Sequence, residues 1–185
     1  MDTLECIDGK DIMKERFRRK ICQDIYYILM LNRYFKVVAY TFHNKANELK
    51  LEIPFVTTTD DRPIGLILTP NEIEQLLALE LINYNDYLLG LLRLIELMAD
   101  YTSETIIQVS ISPSVSNETK SRQYSVSLLN LQLITKLQSG FQMLDLKNDT
   151  IRRKYDGLKY NLKKVSGIVY DLSLRNLIKN DVELY

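Results

Sequence analysis

Residues 134–172 read ITKLQSGFQMLDLKNDTIRRKYDGLKYNLKKVSGIVYDL, and this stretch decides the fold class. Written as heptads, its d positions are Leu137, Leu144, Ile151, Leu158, Val165 and Leu172. Its a positions are Ile134, Phe141, Asn148, Tyr155, Leu162 and Val169, of which only Asn148 is polar. An apolar repeat of seven sustained this long marks helices packed along a common seam. It predicts an all-α protein with a long heptad-patterned C-terminal helix or helix pair. A break near Asn148 is one expectation, because Asn148 and Asp149 suit an N-cap. The alternative is one continuous helix in which Asn148 sets register and oligomer state. The seam residues Leu137, Phe141, Leu144, Ile151, Tyr155, Leu158, Leu162, Val165, Val169 and Leu172 are expected to join copies of the chain. A core closed within one chain would carry the same pattern.

The seam is bordered by cations. Between Gly140 and Arg175 stand Lys147, Arg152, Arg153, Lys154, Lys159, Lys163, Lys164 and Arg175, against Asp145, Asp149, Asp156 and Asp171. The whole chain of 185 residues has a formal net charge of zero, which by itself speaks against a nucleic-acid partner. The charge is unevenly spread, however. The segment 44–104 is acidic while 1–36 and 134–185 are basic, so a basic face is compatible with overall neutrality.

With 46% hydrophobic and 26% charged residues, the chain reads as one globular domain, 1–185, able to bury a real core. Cys6 and Cys22 are the only cysteines, which suggests reduced thiols and not a disulfide framework. Met1–Glu5 has no basic-then-apolar leader, and the apolar runs Ile25–Leu31 and Leu88–Met98 fall short of the ~20 residues of a membrane span. A cytoplasmic and nuclear protein without a membrane partner is expected.

Upstream of the heptad, a helix is predicted over Ile12–Ala39, with Phe17, Ile21, Ile25, Ile28, Leu29, Asn32 and Phe35 as its buried stripe. Residues 40–68 are expected to be a loop with a short extended piece at Leu49–Val56, and His43 falls within it. Thr69-Pro70-Asn71-Glu72 combines an N-cap, a first-turn proline and a capping box, so a short helix is predicted over Pro70–Glu80. Another is expected at Tyr84–Ile106, burying Tyr84, Leu88, Leu91, Ile95 and Met98. The Ser-rich stretch within 107–126 reads as a second loop, and the heptad helix is expected to begin near Ser127.

Three clusters carry candidate chemistry. Lys14, Arg16, Arg18, Arg19 and Lys20 crowd five cations into a turn and a half of helix, which repel unless an anion lies among them. Phosphates fit, and binding of that kind is insensitive to base sequence and sensitive to salt. The plain alternative is a solvated helix start next to Glu15. The second cluster is Arg152, Arg153, Lys154, Lys159 and Lys163, with Tyr160 available to stack on a base; the alternative is the charge that normally flanks a heptad. The third is Glu96, Asp100 and Glu104, four apart on one face, able in principle to hold Mg2+. Here the alternative, a solvated acidic stripe, is stronger, and no cofactor is expected. His43 has no Ser, Cys or metal-ligand constellation around it in the sequence. Cys22, beside the apolar stripe, reads as a core thiol.

Residues 137–177 carry Ser-Gly-Phe at 139–141, Leu-Lys-Asn-Asp at 146–149, Lys-Tyr-Asp-Gly-Leu-Lys-Tyr at 154–160, Lys-Lys-Val at 163–165 and Val-Tyr-Asp-Leu-Ser at 169–173. In these motifs and their spacing the segment resembles the C-terminal region of the translin family. Weaker similarity extends to Asp86-Tyr87-Leu88 with Gly90, to Leu68–Leu77 and to Lys14–Tyr26. The resemblance implies a helical bundle of the translin type that assembles into a hollow oligomer and binds single-stranded RNA or DNA. It also implies a partner, a paralogue of the translin-associated factor X type, with which the family forms an endoribonuclease complex whose catalytic carboxylates lie mainly in the paralogue. Positions aligning with those carboxylates are Arg93 and Leu97 here, so a non-catalytic subunit is expected. The family's first helices, ahead of the point aligning with Lys14, are expected to be missing.

Overall fold

The structure, a computed structural model, describes residues 9–43, 65–78, 81–146 and 149–178. It contains helices α1 (Gly9–His43), α2 (Pro70–Leu77), α3 (Tyr84–Ile111), α4 (Asn117–Gln142) and α5 (Asp149–Leu174), with no strand among the described residues. The expected all-α class is what the chain adopts. The extended piece at Leu49–Val56 and Asn148 itself lie outside the described residues.

The expected helix starts have clear local causes. At α2 the Thr69 hydroxyl accepts from the Glu72 amide at 3.4 Å while the Glu72 carboxylate accepts from the Thr69 amide at 2.7 Å, a complete capping box ahead of Pro70. The helix stops at Ala78, which takes a left-handed φ of 50°. At α3 the Asn83 side chain accepts from the amides of Asn85 and Asp86.

The expected loop at 107–126 contracts to 112–116. Helix α3 runs on to Ile111, and Ser116 caps α4 by accepting from the Thr119 amide at 3.2 Å. Glu118 and Arg122 pair one turn apart, and Tyr124 and Val126 are buried. Serine enrichment reads as loop, but here one serine caps the helix. Others, at 125 and 127, bond back to carbonyls four residues earlier.

The heptad is divided between two helices. Helix α4 ends at Gln142, where the amides of Met143 and Leu144 reach back three residues to Gly140 and Phe141 and tighten the last turn. The two halves fold back on each other, and Phe141 stacks on Tyr155 with ring centroids 5.7 Å apart.

Contact pairs set the directions of the bundle. Gln23 of α1 meets Asp86 of α3, and Phe35 meets Tyr101, so α1 and α3 run parallel. Lys164 of α5 meets Asp100, and Leu172 clusters with Val109, so α5 runs the same way. Asn130 of α4 meets Thr102 while Tyr124 lies by Val109, so α4 is antiparallel to the other three.

Helix α3 touches α1, α4 and α5 and is buried on most of its circumference, not on the single stripe expected. Tyr84 of that stripe is exposed, whereas Asp86, Tyr87, Leu92, Leu94 and Ala99 are buried. At Gly90 helices α1 and α3 come closest: a Cβ there would lie 3.2 Å from the Gln23 carbonyl oxygen and 3.3 Å from the Tyr27 amide. Glycine at this position is what the crossing requires.

Helix α1 is turned relative to expectation. Tyr26, Met30, Tyr34, Val37 and Val38 are buried, while Phe17, Ile21, Ile25, Ile28 and Phe35 lie exposed. The helix has two apolar faces, and the bundle takes the one with two tyrosines. Polar pairing accounts for part of that choice. The Tyr34 hydroxyl donates to Asn130 Oδ1 at 2.7 Å, Asn130 Nδ2 donates to Thr102 Oγ1 at 2.8 Å, and Thr102 donates to the Met98 carbonyl. This buried chain ties α1, α4 and α3 together with each polar group matched. Phe35 and its stripe mates offer no such partner.

Candidate nucleic-acid interface

The cations of α1 stand where the helix leaves the bundle. Gln23 already meets the first turn of α3, so Asp11–Ile21, every one of them exposed, projects beyond it. Arg16, Arg19 and Lys20 precede Gln23, Tyr26 and Tyr27 by seven residues each. At 3.6 residues per turn they continue the bundle-facing side of α1 past the end of the core. Lys14 and Arg18 precede Ile21 and Ile25 by seven and therefore border the outer, apolar side.

Arg152, Arg153 and Lys154 occupy the first turns of α5 and are exposed. Because α5 runs parallel to α1, these groups lie at the end of the bundle from which α1 projects. Arg152, Lys159 and Lys163, spaced seven and four apart, form one exposed ladder along α5. Tyr170, seven beyond Lys163 and 63% exposed, continues it. Tyr160 is also exposed, but three residues before Lys163 and one after Lys159 it lies to the side of that ladder.

Pairing differs sharply among these cations. Lys14 meets Asp11 at 3.4 Å, Arg18 and Arg19 meet Glu15 at 4.0 and 3.2 Å, and Lys159 meets Asp156 at 3.7 Å, all exposed contacts worth little. Lys164 reaches across to Asp100 of α3 at 2.9 Å. Among the described residues, no carboxylate pairs with Arg16, Lys20, Arg152, Arg153, Lys154 or Lys163. Both basic clusters are thus brought to one end of the bundle, on helices separated by α3. Their juxtaposition could not be read from sequence positions more than 130 residues apart.

The acidic stripe of α3 is exposed, and two of its members are engaged within the chain. Asp100 takes Lys164, and Glu104 accepts from Gln108 at 3.3 Å. Among the described residues, no group of three His, Cys, Asp or Glu side chains is placed to hold a metal ion. Arg93 does not turn to Glu96 but pairs with Asp24 of α1, its guanidinium 4.5 Å from the centre of the Tyr27 ring. His43 belongs to the last turn of α1 and not to a loop, and its side chain lies outside the description. Cys22 is half-buried and packs against the core, beside Tyr26. Burial pushes the Tyr26 phenol above its usual pKa, and the neighbouring Cys22 adds to the effect.

The seam residues are accounted for inside one chain. Phe141, Ile151, Leu158, Val165, Val169 and Leu172 are buried, with Leu137, Tyr155 and Leu162 half-buried against the same core, while Leu144 is exposed in the turn after α4. The burial of these side chains needs no second subunit. Sequence reasoning missed the buried groups that bind the helices together: Asp86, which accepts from Gln23 Nε2 at 2.7 Å, the Tyr34–Asn130–Thr102 chain, and Tyr87, which donates to the Leu68 carbonyl at 2.9 Å. Burial, with the Glu72 charge behind it, pushes the Tyr87 phenol up to about 12. The available signal was polar or tyrosine residues at core-facing helical positions.

No helix among the described residues is long and apolar enough to cross a membrane. Translin from Homo sapiens and translin from Mus musculus are each 46% identical to the chain over 81 residues, which cover 43% of this chain and 36% of theirs. Translin from Gallus gallus is 43% identical over 81 residues, 35% of its length. The matched stretch therefore spans about a third of these relatives. A family model described as "Translin family" matches residues 15–176, nearly the whole described bundle. With α2 through α5 and all of α1 from residue 15 onward inside that match, the chain belongs to the translin family.

Proposed function

We propose that the chain is a non-catalytic, single-stranded nucleic-acid-binding subunit that works in an oligomer. Its contact surface is the end of the bundle where α1 projects past α3 and α5 begins. The observation that carries this reading is the set of exposed cations there with no carboxylate partner among the described residues: Arg16, Lys20, Arg152, Arg153 and Lys154, with Lys163 further along α5. Unpaired cations gathered at one end are costly to the free protein and are relieved by phosphates, whose binding releases counterions. Lys159, Lys163 and Tyr170 extend the surface along α5, where the exposed ring offers a stacking platform. RNA cleavage, in this reading, belongs to a partner subunit of the translin-associated factor X type, and this chain holds no metal. Cytoplasm and nucleus are the compartments that fit such a role.

The test is fluorescence anisotropy of a ~25-nucleotide single-stranded RNA titrated across salt, with the slope giving the number of phosphates neutralised. Wild-type affinity should fall steeply with salt. Replacing Arg16, Arg19, Arg152 and Arg153 by Ala should flatten log K against log salt by roughly 0.7 for each phosphate no longer neutralised. An unchanged slope rejects the assignment of these residues. A folded protein with no affinity at low salt rejects the reading and leaves a helical interaction scaffold, which the exposed face of α1 would favour.

A further inference from the structure

Tyr84 lies open to solvent for a reason the helix lengths supply. In the first turn of α3 it precedes Leu91 by seven residues and Thr102 by eighteen, or five turns, so it shares the face of α3 that packs on α4. Leu91, Ile95, Met98 and Thr102 on that face are buried, whereas Tyr84 is 55% exposed. Helix α4 does not reach it. Twelve residues separate Asn130, which meets Thr102, from the end of α4 at Gln142. That end is therefore level with Gly90, six residues and roughly 9 Å short of Tyr84. Among the described residues, the Tyr84 side chain has no hydrogen bond, ring stack or cation–π contact. The end of the bundle thus holds a notch with Tyr84 at its floor and α1 and α5 as its walls.

Both walls carry cations that face inward. Gln23 meets Asp86, which sets Ile21 level with Tyr84, with Lys20 and Arg16 just beyond on the bundle-facing side of α1. On α5, Lys154 stands ten residues before Lys164, so the Lys164–Asp100 pair places it level with Gly90. It precedes Leu158 by four residues, Val165 by eleven and Leu172 by eighteen, all buried, and so faces the bundle while itself exposed. Helices α1 and α5 each pack on α3, which keeps the two rows of cations within roughly 20 Å of each other. A solvent-open ring between two rows of cations suits a single strand, whose phosphates go to the cations while a base lies on the ring. A duplex buries the faces of its bases in its own stack, so this contact is available to unpaired bases alone.

We infer that Tyr84 is a base-stacking residue that selects unpaired nucleotides, with the flanking phosphates held by Lys20 and Arg16 on one side and Lys154 on the other. This inference rests on the nucleic-acid reading above and adds to it the residue that tells single strands from duplex. The probes are the single-stranded RNA of the anisotropy assay and an abasic oligonucleotide of the same length, which keeps the phosphates and lacks the bases. Tyr84→Ala and Tyr84→Leu should each weaken RNA binding by about fivefold or more, with circular dichroism and the salt slope unchanged. Tyr84→Phe, which keeps the ring, should stay within about twofold of wild type. Binding of the abasic oligonucleotide should be the same in all four proteins. Equal weakening of both oligonucleotides overturns the inference, because the ring then shapes the cation rows and does not stack. So does a Tyr84→Phe protein as weak as Tyr84→Ala, which would make the hydroxyl the contact. Steeply salt-dependent wild-type binding that Tyr84→Ala and Tyr84→Leu leave untouched rejects this inference alone. A wild-type protein that binds neither oligonucleotide at low salt rejects the nucleic-acid reading and this inference with it.

Discussion

Two apolar stripes of equal regularity meet opposite fates in this molecule. The heptad of α4 and α5 closes inside the chain, with Ile151, Leu158 and Val165 at 1% exposure or less. The stripe from Phe17 to Phe35 on α1 stays in solvent, though its spacing is just as helical. Periodicity establishes that a helix has an apolar side. It does not say which element covers that side, or whether one does. What separates the two is the neighbourhood: α5 is met by both α3 and α4, while α1 meets α3 with its other face and has that face held by the Tyr34–Asn130 bond.

The strongest test of this contrast is to put the same charge into both stripes. Leu158→Asp should cost about 4 kcal/mol or more, enough to unfold much of the protein, because the carboxylate is buried with no partner. Phe17→Asp should change stability by no more than ~0.5 kcal/mol. Urea unfolding followed by circular dichroism reads both, and comparable losses would erase the distinction between the stripes. Next in size is Gly90→Ala, at about 1–3 kcal/mol, since the added methyl must displace α1 backbone and not a flexible side chain. A neutral result would mean the α1–α3 contact is looser than described.

The smallest effect sharpens why α1 shows the bundle its tyrosine face. Tyr34→Phe removes the donor to Asn130 Oδ1 and should cost roughly 1–2 kcal/mol in the same assay. Alkaline titration probes the same buried phenols. Burial raises Tyr34, and Tyr87 to about 12, from an ordinary 10, so the unfolded chain loses these protons first. The stability they contribute is complete below pH 10 and falls as pH rises toward 12. Tyr34→Phe should make that fall shallower; an identical pH profile would show that Tyr34 ionises as freely folded as unfolded.

Local chemistry is legible in the residues themselves. Thr69 and Glu72 define the start of α2 because a capping box closes within four residues. Of the two readings left open at the middle of the heptad, the division into two helices is the one the chain adopts, and the motifs of 137–177 point to the family. The serine-rich 117–126 reads as loop yet folds as helix, because a serine that caps a helix looks like a serine in a loop. The basic residues of the candidate site are visible as two clusters, but not as one end of one bundle.

What the sequence by itself determined is the helical class, the starts of α2 and α3 and the family, since these depend on contacts a few residues apart or on motifs. Only the tertiary structure decided three things. It closed the heptad inward, turned α1 so that Tyr26, Met30 and Tyr34 face the core, and aligned α1 with α5 so that their cations share an end. A helix repeats every 3.6 residues whatever surrounds it, whereas its rotation and its partners follow from the shapes and hydrogen-bonding groups of elements distant in the chain.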